Sequence, residues 1–317
     1  MFSRRTVTSG LIGLSAAPLI GSAARAARAG AVIEGANAWS ESAMVLYFDP
    51  EVRNGYSVRI SRYPDNNATL VWCHLLLDGQ LYTFTQRAIP CAPNHTDPNQ
   101  DTAVYDSPGL KVSIRRSGSS LEMQSLAFTA EVRAHRSAGG HDGPGDTPVK
   151  LEGVFHPGPL KAGSPKGRFE RTGMMEATLS AGGKSTALKG IGKAHEQTQT
   201  APRFDAPFTY AMLWGPHASL IGLMSPARRY GDVELNGKDV DMQSFRIEAW
   251  APTRRFVALL NDGSRVEGKA ETVQRFEVPI WGDEQWHGRI VRAEAGGQQM
   301  VGMINDWRPE KQPYGLT

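Results

Sequence analysis

The 317 residues suffice for one large domain or two of about 150, and 34 Gly with 20 Pro tilt the chain toward turns rather than long helices. Its formal charge of +3 comes from the amino-terminal stretch, where Arg4, Arg5, Arg25 and Arg28 stand without an acid. The remainder is near neutral, which excludes an electrostatic grip on a nucleic-acid backbone, and no later stretch approaches the roughly 18 apolar residues of a spanning helix.

Residues 1–29 carry Arg4-Arg5, a weakly apolar centre, and Ala-x-Ala sites at Ala24-Arg25-Ala26 and Ala27-Arg28-Ala29. Ser3-Arg4-Arg5-Thr6-Val7 resembles the twin-arginine export signal of bacteria, a receptor-read address rather than an anchor. The expectation is a cleaved twin-arginine-type signal peptide, recognised by the twin-arginine export machinery, and a periplasmic or secreted mature chain without stable membrane insertion. Cys73 and Cys91 then enter an oxidising space. With 17 residues between them, they are candidates for one disulfide worth ~3 kcal/mol. There is no Cys-x-x-Cys, so no Cys-based zinc site is expected.

From Ala43 onward the signals are β. In "ATLVWCHLLLDGQLYTFTQR" two apolar runs flank Asp78-Gly79, a dipeptide that supplies the positive φ of a tight hairpin turn. That turn sets Leu77 against Gln80, Leu75 against Tyr82 and Cys73 against Phe84. Trp72, His74, Leu76, Leu81, Thr83 and Thr85 fall on the other face. Both faces are apolar, which predicts a hairpin inside a barrel wall or sandwich. "YSVRISRYP", "KVSIRR", "LEMQSLAFTAEV" and "VKLEGVF" repeat the alternation. So do "FTYAMLWGPHASLIGLMS", "VELNGKDVDM", "RRFVALLNDGSRVEG" and "RIVRAEAGGQQMVGMIND". Only "SPARRYGD" has the makings of one helical turn. The fold class expected is all-β, in two packed antiparallel halves, 30–170 and 171–317, divided just after the Pro/Gly-rich 156–167.

Several chemistries are absent from the sequence. There is no phosphate-binding Gly loop, no Rossmann fingerprint, no Gly-x-Ser-x-Gly and no His-Glu-x-x-His. "GGHDGPGD", with His141, Asp142 and Asp146, reads as a polar loop. In "ALKGIGKAHEQTQTAPRFDAPFTYAMLWG", His195 and Glu196 follow a Gly-x-Gly and precede an aromatic run. With "VLYFDPEVRNGYSVRISRYPD" and the Asp78-Gly79 hairpin, this pattern resembles the lipocalin-like superfamily of bacterial carotenoid 1,2-hydratases (hydroxyneurosporene synthases) and related cyclases. The resemblance covers most of residues 40–307. It departs at the acid/His cluster, which is inverted here and lacks the Trp-Gly that usually follows.

That resemblance implies two lipocalin-like barrels with a ligand cavity in or between them, and no cofactor. Trp72, His74, Leu76, Met212, Trp214, Met224 and Trp286 are candidate lining residues for a hydrophobic small molecule. Glu196 is the candidate catalytic acid, its pKa raised by burial, and His195 or His74 the partner in proton transfer. A second candidate, "VPIWGDEQWHGRIVRAE", sets Trp281, Trp286 and His287 around Asp283 and Glu284, as at a barrel rim. The reactions implied are hydration, isomerisation or cyclisation of an isoprenoid- or lipid-like alkene. A non-enzymatic periplasmic carrier of apolar ligands, and a carbohydrate-active sandwich using Asp283 and Glu284, are the alternatives.

Overall fold

The structure, a computed structural model, describes residues 39–161, 167–199, 204, 206–226, 229–281 and 284–316. The expected signal peptide, residues 1–29, and Asp283 lie outside the described residues. The described chain is all-β. Its first half holds β1 (Ser40–Phe48), β2 (Gly55–Tyr63), β3 (Ala68–Leu77), β4 (Gln80–Ile89), β5 (Thr102–Asp106), β6 (Lys111–Ser117), β7 (Ser125–Ala134), β8 (Thr147–Leu160), β9 (Arg168–Ala181) and β10 (Lys184–Gln199). These form one antiparallel sheet in the order β4-β3-β2-β1-β10-β9-β8-β7-β6-β5. Tyr82 and Phe84 of one edge strand and Ala103 and Tyr105 of the other belong to one core, so the sheet is rolled around it.

The second half is a closed barrel of β11 (Phe208–Gly215), β12 (Ala218–Met224), β13 (Arg229–Leu235), β14 (Lys238–Ile247), β15 (Thr253–Leu260), β16 (Arg265–Trp281), β17 (Glu284–Ala295) and β18 (Gln298–Trp307). Closure removes the sheet edges by which other chains would pair. Arg229 to Asp232, the end of "SPARRYGD", are strand. The chain passes from one half to the other between Gln199 and Phe208 rather than near residue 170. Residues 156–160 of the Pro/Gly-rich stretch belong to β8 and pair with β9, so both strands lie in the first sheet. Among the described residues no helix is long and apolar enough to cross a membrane.

The Asp78-Gly79 hairpin has the expected register, Leu77 to Gln80, Leu75 to Tyr82 and Cys73 to Phe84. Both turn residues have positive φ, 52° and 79°, as the favoured two-residue hairpin requires. Its faces divide between two cores. Cys73, Leu75, Tyr82 and Phe84 line the interior of the first half. Trp72, Leu76 and Leu81 join Met212, Trp214, Trp286 and Trp307 in a second core that lies between the halves. A third core fills the second barrel.

The disulfide expected between Cys73 and Cys91 is not formed; both thiols are free and buried. The Cys91 amide bonds the Asn67 side chain at 3.2 Å, six strand positions from Cys73. At 3.3 Å per residue that is ~20 Å, against a Cα limit of about 7 Å for a bridge. Burial pushes the Cys73 thiol up to about 12, so it behaves as a small apolar side chain.

Barrel closure imposes one tight backbone approach. A methyl group on Gly302 of β18 would sit 1.9 Å from the Met212 carbonyl oxygen of β11, and the residue's φ is +158°. Gly302→Ala is expected to part the β11–β18 seam and cost roughly 1–3 kcal/mol or more. The midpoint of urea unfolding measures it, and an unchanged midpoint would refute the account.

Candidate active site between the two halves

Strand alternation decides what each residue of β10 faces. His195 and Lys193 point toward the second barrel. Glu196 and Ala194 point into the first half's interior. The candidate acid and its partner therefore stand on opposite faces of one strand and cannot serve one reacting atom. Glu196 is bound instead by the Tyr105 hydroxyl at 2.8 Å and by Arg116 Nε at 2.9 Å. Nearby, Arg62 pairs with Glu41 at 2.9 Å, and Thr96 donates to Glu41 through its amide at 2.8 Å and its hydroxyl at 2.6 Å. These are charges neutralised inside the first half's core.

His195 belongs to a different network. In register across the sheet, His195 (β10), Met44 (β1), Arg59 (β2) and Trp72 (β3) lie in one row, all facing the layer between the halves. Arg59 Nη1 is 3.3 Å from His195 Nε2. Arg59 also donates to Ser42 Oγ and Ser61 Oγ, each at 3.1 Å. An arginine only donates, and so does the Lys193 ammonium 3.5 Å from Nδ1; a neutral imidazole accepts at one nitrogen, and the shorter Arg59 contact makes that nitrogen Nε2. Nδ1 faces Glu170 Oε2 of β9 at 3.6 Å. Glu170 accepts from Lys193 and from Arg168, and from the Tyr210 hydroxyl of β11 at 2.7 Å. Lys193 Nζ also reaches the Tyr210 oxygen at 3.1 Å. Lys193 and His195 are 0% exposed and Glu170 2%.

The electrostatics follow from burial and from this crowding. Burial works to raise the Glu170 carboxyl, but Arg168, Lys193 and His195 outweigh it and hold the group well below its ordinary value. Burial pushes Lys193 down to about 8 against the pull of Glu170, and it holds His195 well below its usual range. At neutral pH the cluster thus contains a neutral imidazole and an ammonium close to its titration point. Asp232 of β13 completes it. Burial first, and then Asp239, push its carboxyl up to about 8.

Apolar walls flank the charges. Trp72 and Trp286 meet edge to face at 5.0 Å, with the Arg59 guanidinium 5.3 and 5.9 Å from their ring centres. Phe204 packs on Trp286 and Trp307. Of the candidate lining residues, Trp72, Leu76, Met212, Trp214 and Trp286 come together in this layer. His74 shares the face and packs against Phe276, with ring centres 4.0 Å apart and planes tilted by 31°. Met224 does not join them, because it points into the second barrel's own core. Trp286 faces this layer and His287 its barrel's interior, so the rim cluster expected around Glu284 is split between two faces of β17.

No protein-family model matches the chain, and no curated protein matches it. Among solved structures it is similar to kievitone hydratase from Nectria haematococca, with 10% identity over 88% of this chain and 91% of that one, at a TM-score of 0.44. A likeness of that degree carries no argument, and it does not tie the chain to the carotenoid hydratases. The chemistry must be read from the side chains.

Arg59, Glu170, Lys193, Arg168, Tyr210 and Asp232 were not singled out by their sequence context. In "YSVRISRYP", Arg59 and Ser61 alternate with Val58 and Ile60 and look like the solvent side of a strand. The signal that could have found them is the neighbouring hairpin, apolar on both faces, which leaves an adjacent strand no solvent side.

Proposed function

We propose that the protein is a cofactor-independent acid–base enzyme acting on a hydrophobic small molecule held between its two β halves. The reaction class is hydration, isomerisation or cyclisation of an isoprenoid- or lipid-like alkene. One observation carries the reading: Lys193, His195 and Glu170 form a fully buried, hydrogen-bonded acid–base cluster against the walls of Trp72 and Trp286. In such a layer Lys193 is the proton donor, since an ammonium poised near 8 gives up its proton readily at neutral pH. Neutral His195 is the base: its Nε2, the acceptor of the long 3.3 Å contact from Arg59, takes a proton from water or from the carbocation formed when that contact opens. Glu170 positions both, and Arg59 fixes the imidazole tautomer. The resemblance of Arg4-Arg5 and the Ala-x-Ala sites to an export signal supports work outside the cytoplasm.

The test uses geraniol, an acyclic isoprenoid alcohol, in isotopically labelled water. Conversion should incorporate solvent deuterium or oxygen, and His195→Ala and Lys193→Met should each slow it by roughly 100-fold or more. Equal rates in these variants would overturn the assignment. Bound lipid released unchanged, seen by native mass spectrometry of protein from its own host, would favour the carrier instead.

A further inference from the structure

The second barrel encloses a charge cluster of its own, at the end where β14 turns into β15. Arg289 of β17 points into the barrel, since its strand partner Ile304 belongs to the barrel core. The side chain is 0% exposed. Nη1 donates to the Gly288 carbonyl at 2.8 Å, whereas Nε and Nη2 have no partner among the described residues.

The carboxylates nearby are engaged elsewhere. Asp306 accepts from Arg254 at 2.7 and 3.2 Å, from Thr209 at 2.7 Å and from Tyr314 at 3.0 Å. Glu277 pairs with His287 at 2.6 Å. Arg275, opposite Arg289 on β16, adds positive charge. Burial holds Arg289 down to about 10 although Asp306 and Glu277 pull the other way. An unpaired guanidinium buried in a barrel is costly, because charge leaves water without a counter-ion. Trp250, from the β14–β15 turn, lies over it with its ring centre 3.6 Å away, and is 36% exposed. A surface groove lined by Glu277, Glu284, Gln285, His287, Arg308 and Glu310 reaches Trp250 through His287, whose ring centre is 4.8 Å from that of Trp250.

We propose that the mouth of the second barrel is a carboxylate-binding site in which the Nε–Nη2 edge of Arg289 receives the anion. That edge offers two parallel N–H donors, the geometry a planar carboxylate takes side-on. Trp250 supplies a flat apolar surface for the body of the acid, so the ligand class is a small carboxylic acid with an aromatic or branched apolar group. The site is separate from the Lys193–His195 cluster, since the two lie on opposite faces of the barrel wall.

Benzoate, benzamide and inorganic phosphate are the probes, titrated into the whole protein by calorimetry. Benzoate should bind saturably, and benzamide, of the same shape without charge, at least tenfold more weakly. Arg289→Met should abolish benzoate binding, and Arg289→Lys, which keeps charge but loses the paired donors, should weaken it about tenfold. Trp250→Ala should weaken benzoate at least fivefold under conditions where circular dichroism shows the variant folded. Equal binding of benzoate and benzamide, benzoate affinity unchanged in Trp250→Ala or Arg289→Lys, or phosphate matching benzoate, would each overturn the proposal.

Discussion

Replacing Glu170 by Gln is expected to destabilise the folded protein by about 3–5 kcal/mol, because it strips the shared counter-charge from buried cations. Lys193 is 0% exposed, and Glu170 accepts from it, from Arg168 and from Tyr210. After the substitution Lys193 keeps only Asp232, a carboxyl raised to about 8 and so largely neutral at neutral pH, and must either stay charged in an apolar layer or lose its proton. Removing both partners, Glu170→Gln with Lys193→Met, should recover part of the loss, since breaking a buried pair costs more than deleting it. Urea unfolding of the four proteins of this double-mutant cycle at neutral pH measures the coupling. A Glu170→Gln variant within about 1 kcal/mol of wild type would show that the network carries no such charge. The acid side follows the same logic. The folded carboxyl is held below its ordinary value, so its contribution is present above an unfolded pKa of about 4.3 and is lost as the pH falls through the folded value.

Asp232 gives the second large effect, with the opposite sign. Its carboxyl is raised from 3.8 to about 8 in the folded state by burial and by Asp239. The protonated form is the one the fold accepts. Its contribution is therefore complete below the unfolded value, and it is lost as the pH rises toward 8, at up to about 1.4 kcal/mol per pH unit. Asp232→Asn keeps a neutral side chain at every pH. It should match wild type at pH 4 and exceed it at pH 8, by an amount of the order of a few kcal/mol. Lys193 works from the other side. With a folded value of about 8 below an unfolded value of roughly 10.4, its contribution is present above the latter and is lost as the pH falls through 8. Between them the two groups place a minimum of stability near pH 8, and they titrate as a coupled pair. Unfolding midpoints from pH 4 to 10 for wild type and variant check this. A difference between them that does not change with pH would rule it out.

The fold was largely legible because β-sheet rules are local. Asp78-Gly79 dictates a two-residue turn, and the turn dictates register, so the facing of Trp72, His74 and Leu76 away from Cys73 and Leu75 followed without tertiary information. The site was less legible because its residues are brought together by pairings that local rules do not reach. Glu170 lies opposite His195, and diagonal to Lys193, through a β9–β10 hairpin whose Pro/Gly-rich approach looked like a boundary between halves. Tyr210 arrives from the other barrel. His195 and Glu196 illustrate the limit from the opposite direction. Adjacent in sequence, they suggest a pair, but a strand sends neighbours to opposite faces. His195 thus joins the layer between the halves, and Glu196 goes to Arg116 and Tyr105. Cys73 and Cys91 failed as a bridge for a similar reason, since loop length permits what strand direction forbids.

The central seam of the first sheet joins its first strand to its last. Ser40 pairs with Gln199, a separation of 159 residues. On a ribosome adding about 5–20 residues per second, β1 emerges ~10–30 s before the strand that completes its hydrogen bonds exists. During that interval one edge of β1 stands open with its backbone N–H and C=O groups unpaired, and a sheet so dependent on distant pairing closes late. Nascent chains stalled before residue 184 should thus be the ones that a holding chaperone captures, and release should come only when β10 docks.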